Sequence, residues 1–156
     1  KDGLGDRTFP APRTRVILDQ RGCKYLPHVF GAQVGQPVTI LNSGATLHNV
    51  HAVPKSNDEF NFGQTKKGME TTRTFTKPEI MVPFRCDVHG WMNAYAGIVP
   101  HPFYAVSKPD GSFEIKGLPA GTYTIEAWHE RLGTQTTKVT VDGKTGTMAA
   151  FAFKGA

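Results

Sequence analysis

Within the seven residues from Cys86 to Met92 the chain carries a thiol, the imidazole of His89 and a thioether, and a further imidazole, His48, stands upstream beside Asn49. Soft sulfur donors combined with two imidazoles suit a mononuclear copper site that cycles between Cu(I) and Cu(II). Two histidines and a cysteine make a trigonal plane, and a weak axial methionine completes it. The expected metal ligands are therefore His48, Cys86, His89 and Met92, holding one copper per chain. The spacing Cys-x2-His-x2-Met is too tight for a helix to aim all three side chains at one point, so a loop between two strands must carry it. Taken singly, each residue has a plainer role. A lone cysteine is a small buried hydrophobe, a lone methionine fills core space and a lone histidine satisfies a neighbour. It is the conjunction that points to a metal.

Holding such a loop requires strands. Short runs rich in β-branched and aromatic residues occur at Arg15–Leu18, Pro37–Leu41, Glu70–Phe75 and Met81–Arg85, with Gly, Pro, Asn and Asp between them. The rhythm continues at Phe103–Val106, Ser112–Ile115, Thr122–Ala127, Thr136–Val141 and Thr147–Phe153. Turn signals fall in the gaps, at Pro109–Gly111, Pro119–Gly121 and Asp142–Gly143. This pattern predicts an all-β chain built as a β-sandwich followed by a small antiparallel β-sandwich. No amphipathic helix of useful length stands out, and residues 56–69, polar and glycine-containing, read as a long loop or a single turn.

Length and charge set the remaining bounds. A chain of 156 residues can bury one core or two small ones. No apolar run approaches the roughly 18 residues of a membrane span. No signal peptide is visible in the polar start at Lys1–Asp6. The net charge is +5, with 12 basic and 8 acidic residues up to Pro100 and 6 and 5 after it. The basic residues are scattered, without the basic stripe and interleaved aromatics that nucleic-acid binding needs.

Residues 24–99 resemble the cupredoxins, in particular the plastocyanin and amicyanin group. Pro27–Gly35 followed by Val38–Asn42 is similar to their early strand pair, and Asn42–Val50 to the asparagine-led approach to their first histidine ligand. The ligand loop has the short amicyanin spacing, two residues between histidine and methionine. The resemblance implies a Greek-key sandwich with His48, Cys86 and His89 as equatorial ligands and Met92 as the axial one. It also implies that Asn49 ties the two ligand-bearing segments together. Residues 102–153 resemble a different family, the carboxypeptidase regulatory-like domains, on Asp110–Ile115, Gly117–Ile125 and Glu126–Trp128. Those are transthyretin-like sandwiches without chemistry of their own. The expected division is residues 14–100 as the copper domain and 101–156 as the second domain, joined by a short link and closely packed.

These readings imply a blue copper electron carrier and not a catalyst, working between a protein redox donor and acceptor, in the periplasm or another export compartment, and compatible with a place in a larger complex. The cupredoxin likeness implies that His89 reaches the surface through an apolar patch. Trp91 is read either as a member of that patch or as a plug of the core or domain junction, and Phe84 as part of the wall that keeps water from the metal. Two alternatives stay open: a copper-dependent oxidoreductase with a second metal site, for which His51, His101 and His129 are the spare imidazoles, and a non-redox assembly or copper-carrier module. His51 lies an odd number of residues from His48, so strand alternation puts it on the opposite face. Cys23, the other cysteine, could pair with Cys86 and remove the thiolate.

Overall fold

A computed structural model describes residues 1–155, and among them it contains strands and turns but no helix. Two compact units are present, Phe9–Phe113 and a second made of Lys1–Thr8 with the residues from Glu114 onward. The first holds β1 (Val16–Gln20), β2 (Tyr25–Leu26), β3 (Val29–Gln33), β4 (Val38–Asn42), β5 (His48–Ala52), β6 (Phe60–Gln64), β7 (Glu70–Arg73), β8 (Glu79–Arg85) and β9 (Asn93–Val99). They form two sheets, ordered β2-β1-β4-β7 and β3-β9-β8-β5-β6. Two pairings are parallel: β1 with β4, from Val16 opposite Val38 to Gln20 opposite Asn42, and β3 with β9, from Val29 opposite Tyr95 to Gln33 opposite Val99. All the others are antiparallel.

The core of this unit is filled from both sheets. Leu18, Val38 and Ile40 come from one, and Phe30, Val50, Val82, Phe84, Ala96 and Ile98 from the other, all buried. Phe84 sits at the middle of an aromatic cluster, its ring centre 5.6 Å from Phe30, 6.0 Å from Phe60 and 6.3 Å from Phe75. Aromatic pairs at these separations add to the burial of their area. Two carboxamides are buried with them. Gln20 Nε2 donates to Gln64 Oε1 at 2.6 Å and to the Leu41 carbonyl at 3.1 Å, and Gln64 Nε2 donates to the Ile40 carbonyl at 3.1 Å. Buried amides are tolerated because each N–H has found an acceptor. Gly31 is fixed by packing: a Cβ there would collide with the ring of Tyr104, whose hydroxyl donates to the Gly31 carbonyl at 3.2 Å.

The segment 56–69, expected as loop, contains a strand. Along β6 the partly buried Phe60 and Phe62 and the buried Gln64 share one face while Asn61 and Gly63 face water. This two-residue period was masked in the sequence by a glycine and two amides, which are weak strand formers. Pairing with β5, from His48 opposite Gln64 to Ala52 opposite Phe60, supplies what propensity does not.

In the second unit, β10 (Gly121–His129) and β11 (Gly133–Val141) form a hairpin in register from Gly121 opposite Val141 to His129 opposite Gly133. An isolated bridge sets Asp2 against Thr124. The runs expected as strands at Phe103–Val106, Ser112–Ile115 and Thr147–Phe153 join no ladder. Some of their apolar residues find contacts without one. Phe103 meets Phe9 edge-on at 5.3 Å, Phe153 lies 5.8 Å from His129, and Gln135 Nε2 donates to the Ala152 carbonyl at 2.7 Å. Others stay exposed, Val106 at 47% and Met148 at 93%, so apolar and β-branched content alone does not make a strand.

Phe84→Ala removes the ring shared by three neighbours and leaves a cavity between the sheets. It is expected to destabilise the first unit by about 3–5 kcal/mol, read from the urea unfolding midpoint. A loss below about 1 kcal/mol would show that the cluster collapses around the gap.

Candidate metal centre

The site forms where two neighbouring strands stop pairing. β5 and β8 share two rungs, Ala52 opposite Phe84 and His51 opposite Arg85, and no further rung joins them toward His48. Side chains bridge the gap. The buried Tyr25 hydroxyl lies 2.7 Å from the Asn49 carbonyl and 2.9 Å from the Arg85 carbonyl. Asn49 Oδ1 accepts the Asp87 amide at 2.6 Å and the Val88 amide at 3.3 Å, while its Nδ2 donates to the Asp87 carboxylate at 2.7 Å and to Asn61 Oδ1 at 2.9 Å. Asn49 thus ties the strand of His48 to the loop of His89.

Each expected ligand is placed by its element. Alternation along β5 turns His48, Val50 and Ala52 inward and leaves Asn49 and His51 on the other face. The approach to His48 is shaped by the buried Asn42, whose Nδ2 donates to the Thr46 and Gln64 carbonyls at 3.1 and 2.9 Å and whose Oδ1 accepts the Gly44 amide at 3.0 Å. The connection from Cys86 to Met92 leaves β8 and enters β9 at the rung Arg85 opposite Asn93. It is closed by the Met92 amide on the His89 carbonyl at 2.9 Å and the Cys86 amide on the Met92 carbonyl at 3.3 Å.

His48 Nδ1 and His89 Nδ1 are 3.1 Å apart, and Cys86 Sγ is 3.7 Å from the same His89 nitrogen. His48, Cys86 and Met92 are buried, and His89 is partly exposed. Burial pushes the His48 pKa down, and the proximity of His89 adds to the effect. A neutral imidazole is the form that ligates metal. His48 Nε2 is buried without a hydrogen-bond partner. Two facing ring nitrogens with a sulfur beside them make a donor set that fits a soft or borderline cation such as copper or zinc.

A second thiol belongs to this group and was not picked out from the sequence as a donor. Cys23 Sγ and one ring nitrogen each of His48 and His89 lie within 4.8 Å of one another, with Cys23 Sγ 4.0 Å from His89 Nε2. Cys23 occupies the tip of the β1–β2 hairpin, where Arg21 and Lys24 exchange backbone hydrogen bonds of 3.0 and 3.2 Å. Gly22 and Cys23 both have positive φ, 56° and 53°, as a two-residue turn of this kind requires. For a residue with a side chain that conformation costs roughly 1–2 kcal/mol. Both cysteines are free thiols, so the alternative of a Cys23–Cys86 disulfide is not realised. The sequence signal available for Cys23 was only its being one of two cysteines.

Trp91 is 67% exposed, which rules out the role of a core plug. Its ring centre is 5.2 Å from that of His89, and its Nε1 donates to the Cys23 carbonyl at 3.1 Å. Two of the spare histidines are hydrogen-bonded elsewhere: His51 is held by Glu59 at 2.6 Å and Asp87 at 3.3 Å, and His129 Nδ1 accepts the amides of Arg131 and Leu132. His101 lies 6.0 Å from the Phe103 ring, and its Nδ1 is buried without a hydrogen-bond partner.

No protein-family model matches the chain, and no curated protein is significantly similar to it. Solved structures are. The copper-containing nitrite reductase from Thermus scotoductus is 20% identical over 55% of this chain and 22% of its own, with a TM-score of 0.50. This chain therefore spans less than a quarter of that enzyme. An oxidised variant of amicyanin is 25% identical over 61% of this chain and 85% of its own, with a TM-score of 0.48, and a Cu(I) variant is 24% identical over 62% and 96%, at 0.47. The fold of the sandwich is that of the cupredoxins. No helix among the described residues is long and apolar enough to cross a membrane.

Hydrogen bonds to Glu59 and then Asp87 raise the His51 pKa above its ordinary 6.5. The raised value belongs to the folded state, so the stabilisation is complete below the ordinary value and fades as pH climbs through the folded one. The stability difference between the parent and His51→Ala is expected to shrink across that window, and to shrink with added salt because the pair lies at the surface. Unfolding curves at stepped pH check this; a difference that grows with rising pH would contradict it.

Proposed function

We propose that this protein is a mononuclear copper electron carrier, with His48, Cys86 and His89 as equatorial ligands and Met92 as the axial one. The observation that carries the reading is the meeting of three donor atoms from one strand and a separate loop: His48 Nδ1 3.1 Å from His89 Nδ1, and Cys86 Sγ 3.7 Å from the latter. A copper ion bound there supplies one-electron exchange between Cu(I) and Cu(II). The chain supplies the rest. β5 and the Asn49 tie hold the two imidazoles in place, so the donors need not rearrange when charge changes. Phe84 and the buried sheet faces keep water away from the inner side.

Electron exchange with a partner needs an exposed edge near the metal. Val88 and Trp91 flank His89 in the loop and Leu47 precedes His48, and these three apolar side chains are 53%, 67% and 44% exposed. A surface of this kind suits transient docking of a protein donor and acceptor through apolar contact. The export compartment is part of the same reading.

Copper loading with absorption spectroscopy tests it. The parent protein is expected to bind one copper and show an intense visible thiolate-to-Cu(II) band. Cys86→Ser is expected to lose that band while keeping its thermal unfolding transition. His48→Ala is expected to hold copper more weakly by over about tenfold, since even partners of ligands contribute that much. A ratio of two coppers per chain would favour an oxidoreductase, and bound copper without the band would favour a carrier or assembly module.

A further inference from the structure

The imidazole of His89 lies between two sulfurs. Cys86 Sγ is 3.7 Å from its Nδ1, and Cys23 Sγ is 4.0 Å from its Nε2. The two thiols differ in access, Cys86 being 2% exposed and Cys23 only partly buried. Cys23 forms with His48 and His89 a cluster whose donor atoms all lie within 4.8 Å. Two further observations bear on it. His48, 0% exposed, keeps an Nε2 that no hydrogen bond satisfies. The Cys23 carbonyl is fixed by the Trp91 indole N–H at 3.1 Å, which holds the hairpin tip against the loop of His89.

We infer that the histidine pair has two sulfur faces, and that Cys23, His48 and His89 form a second metal-binding arrangement that takes a soft closed-shell cation, Cu(I). The inference rests on the metal-binding role proposed above for His48 and His89, but not on Cys86 or on a coloured site. One thiolate with two neutral imidazoles offers three donors, one of them soft, and Cu(I) accepts low coordination and favours sulfur. No electron changes hands on binding. A sulfur–copper bond forms, the Cys23 S–H bond breaks, and the proton goes to solvent. The arrangement shares both histidines with the inner site, so the two are occupied alternately and the stoichiometry stays at one metal per chain.

Anaerobic titration with Cu(I), followed by X-ray absorption at the copper edge, tests this in variants that separate the two sulfurs. The double variant Cys86→Ser, Met92→Leu, which removes both inner sulfurs, is expected to bind one Cu(I) with sulfur still among its ligands. Adding Cys23→Ser is expected to remove the sulfur shell and cost at least about tenfold in affinity. A Cu(I) shell of nitrogen and oxygen only in the double variant overturns the inference. A parent protein without the visible band counts against the electron carrier alone and leaves this result untouched. Should the double variant not fold, alkylation of the parent by iodoacetamide serves in its place. Cu(I) is expected to slow labelling of Cys23 by more than about tenfold, as metal ligation consumes the thiolate that reacts. Unchanged labelling of Cys23 in the Cu(I)-loaded protein overturns it equally.

Discussion

The ladder between β5 and β8 ends after two rungs, and backbone groups beyond that point must be satisfied some other way. Tyr25 and Asn49 do this, the hydroxyl between two carbonyls and the carboxamide on two amides. The cost of the arrangement is visible in Tyr25, whose pKa is driven far up by burial, with Cys86 and Asp87 adding to it. The parting falls at the ends of the strands that lead to His48 and Cys86. The donor cluster is therefore a property of where pairing stops as much as of which residues are present.

The same economy extends inward. Gln20, Gln64 and Asn42 place three buried carboxamides around the strands that lead to His48, each bonded to backbone carbonyls. Such groups are stabilising only in one register, because a shift by one residue would strand them without partners. They make the approach to the site rigid in a way that aliphatic packing, which tolerates sliding, does not. Rigidity of donors suits the electron-carrier role proposed above, since any movement of ligands between oxidation states slows exchange.

Much of this was legible in the sequence because it is local. The spacing of Cys86, His89 and Met92, the alternation that separates His48 from His51, and the strand runs at Pro37–Leu41 and Met81–Arg85 need only near neighbours to be read. What escaped is set by distant partners. β6 is a strand because β5 offers it an edge, although its own residues argue weakly for one. The terminal runs at Phe103–Val106 and Thr147–Phe153 have strand-forming residues but pair with no strand. Cys23 is 66 residues from His89 in sequence, and only the closing of the β1–β2 hairpin beside the ligand loop brings its sulfur there. Trp91 was readable as a member of an exposed patch or as a plug, and only the assembled surface decides for exposure.

The ligand loop begins and ends on a single rung, Arg85 opposite Asn93, so its length is decoupled from the register of the sheet. Adding or removing a residue between Cys86 and Met92 alters the reach of the loop without sliding β8 along β9. The loop is in that sense a cassette, seated on a scaffold that does not record what it carries. Selection on the electronic character of the centre and selection on the durability of the sandwich can then proceed on separate residues, and a lineage can retune the one while inheriting the other intact.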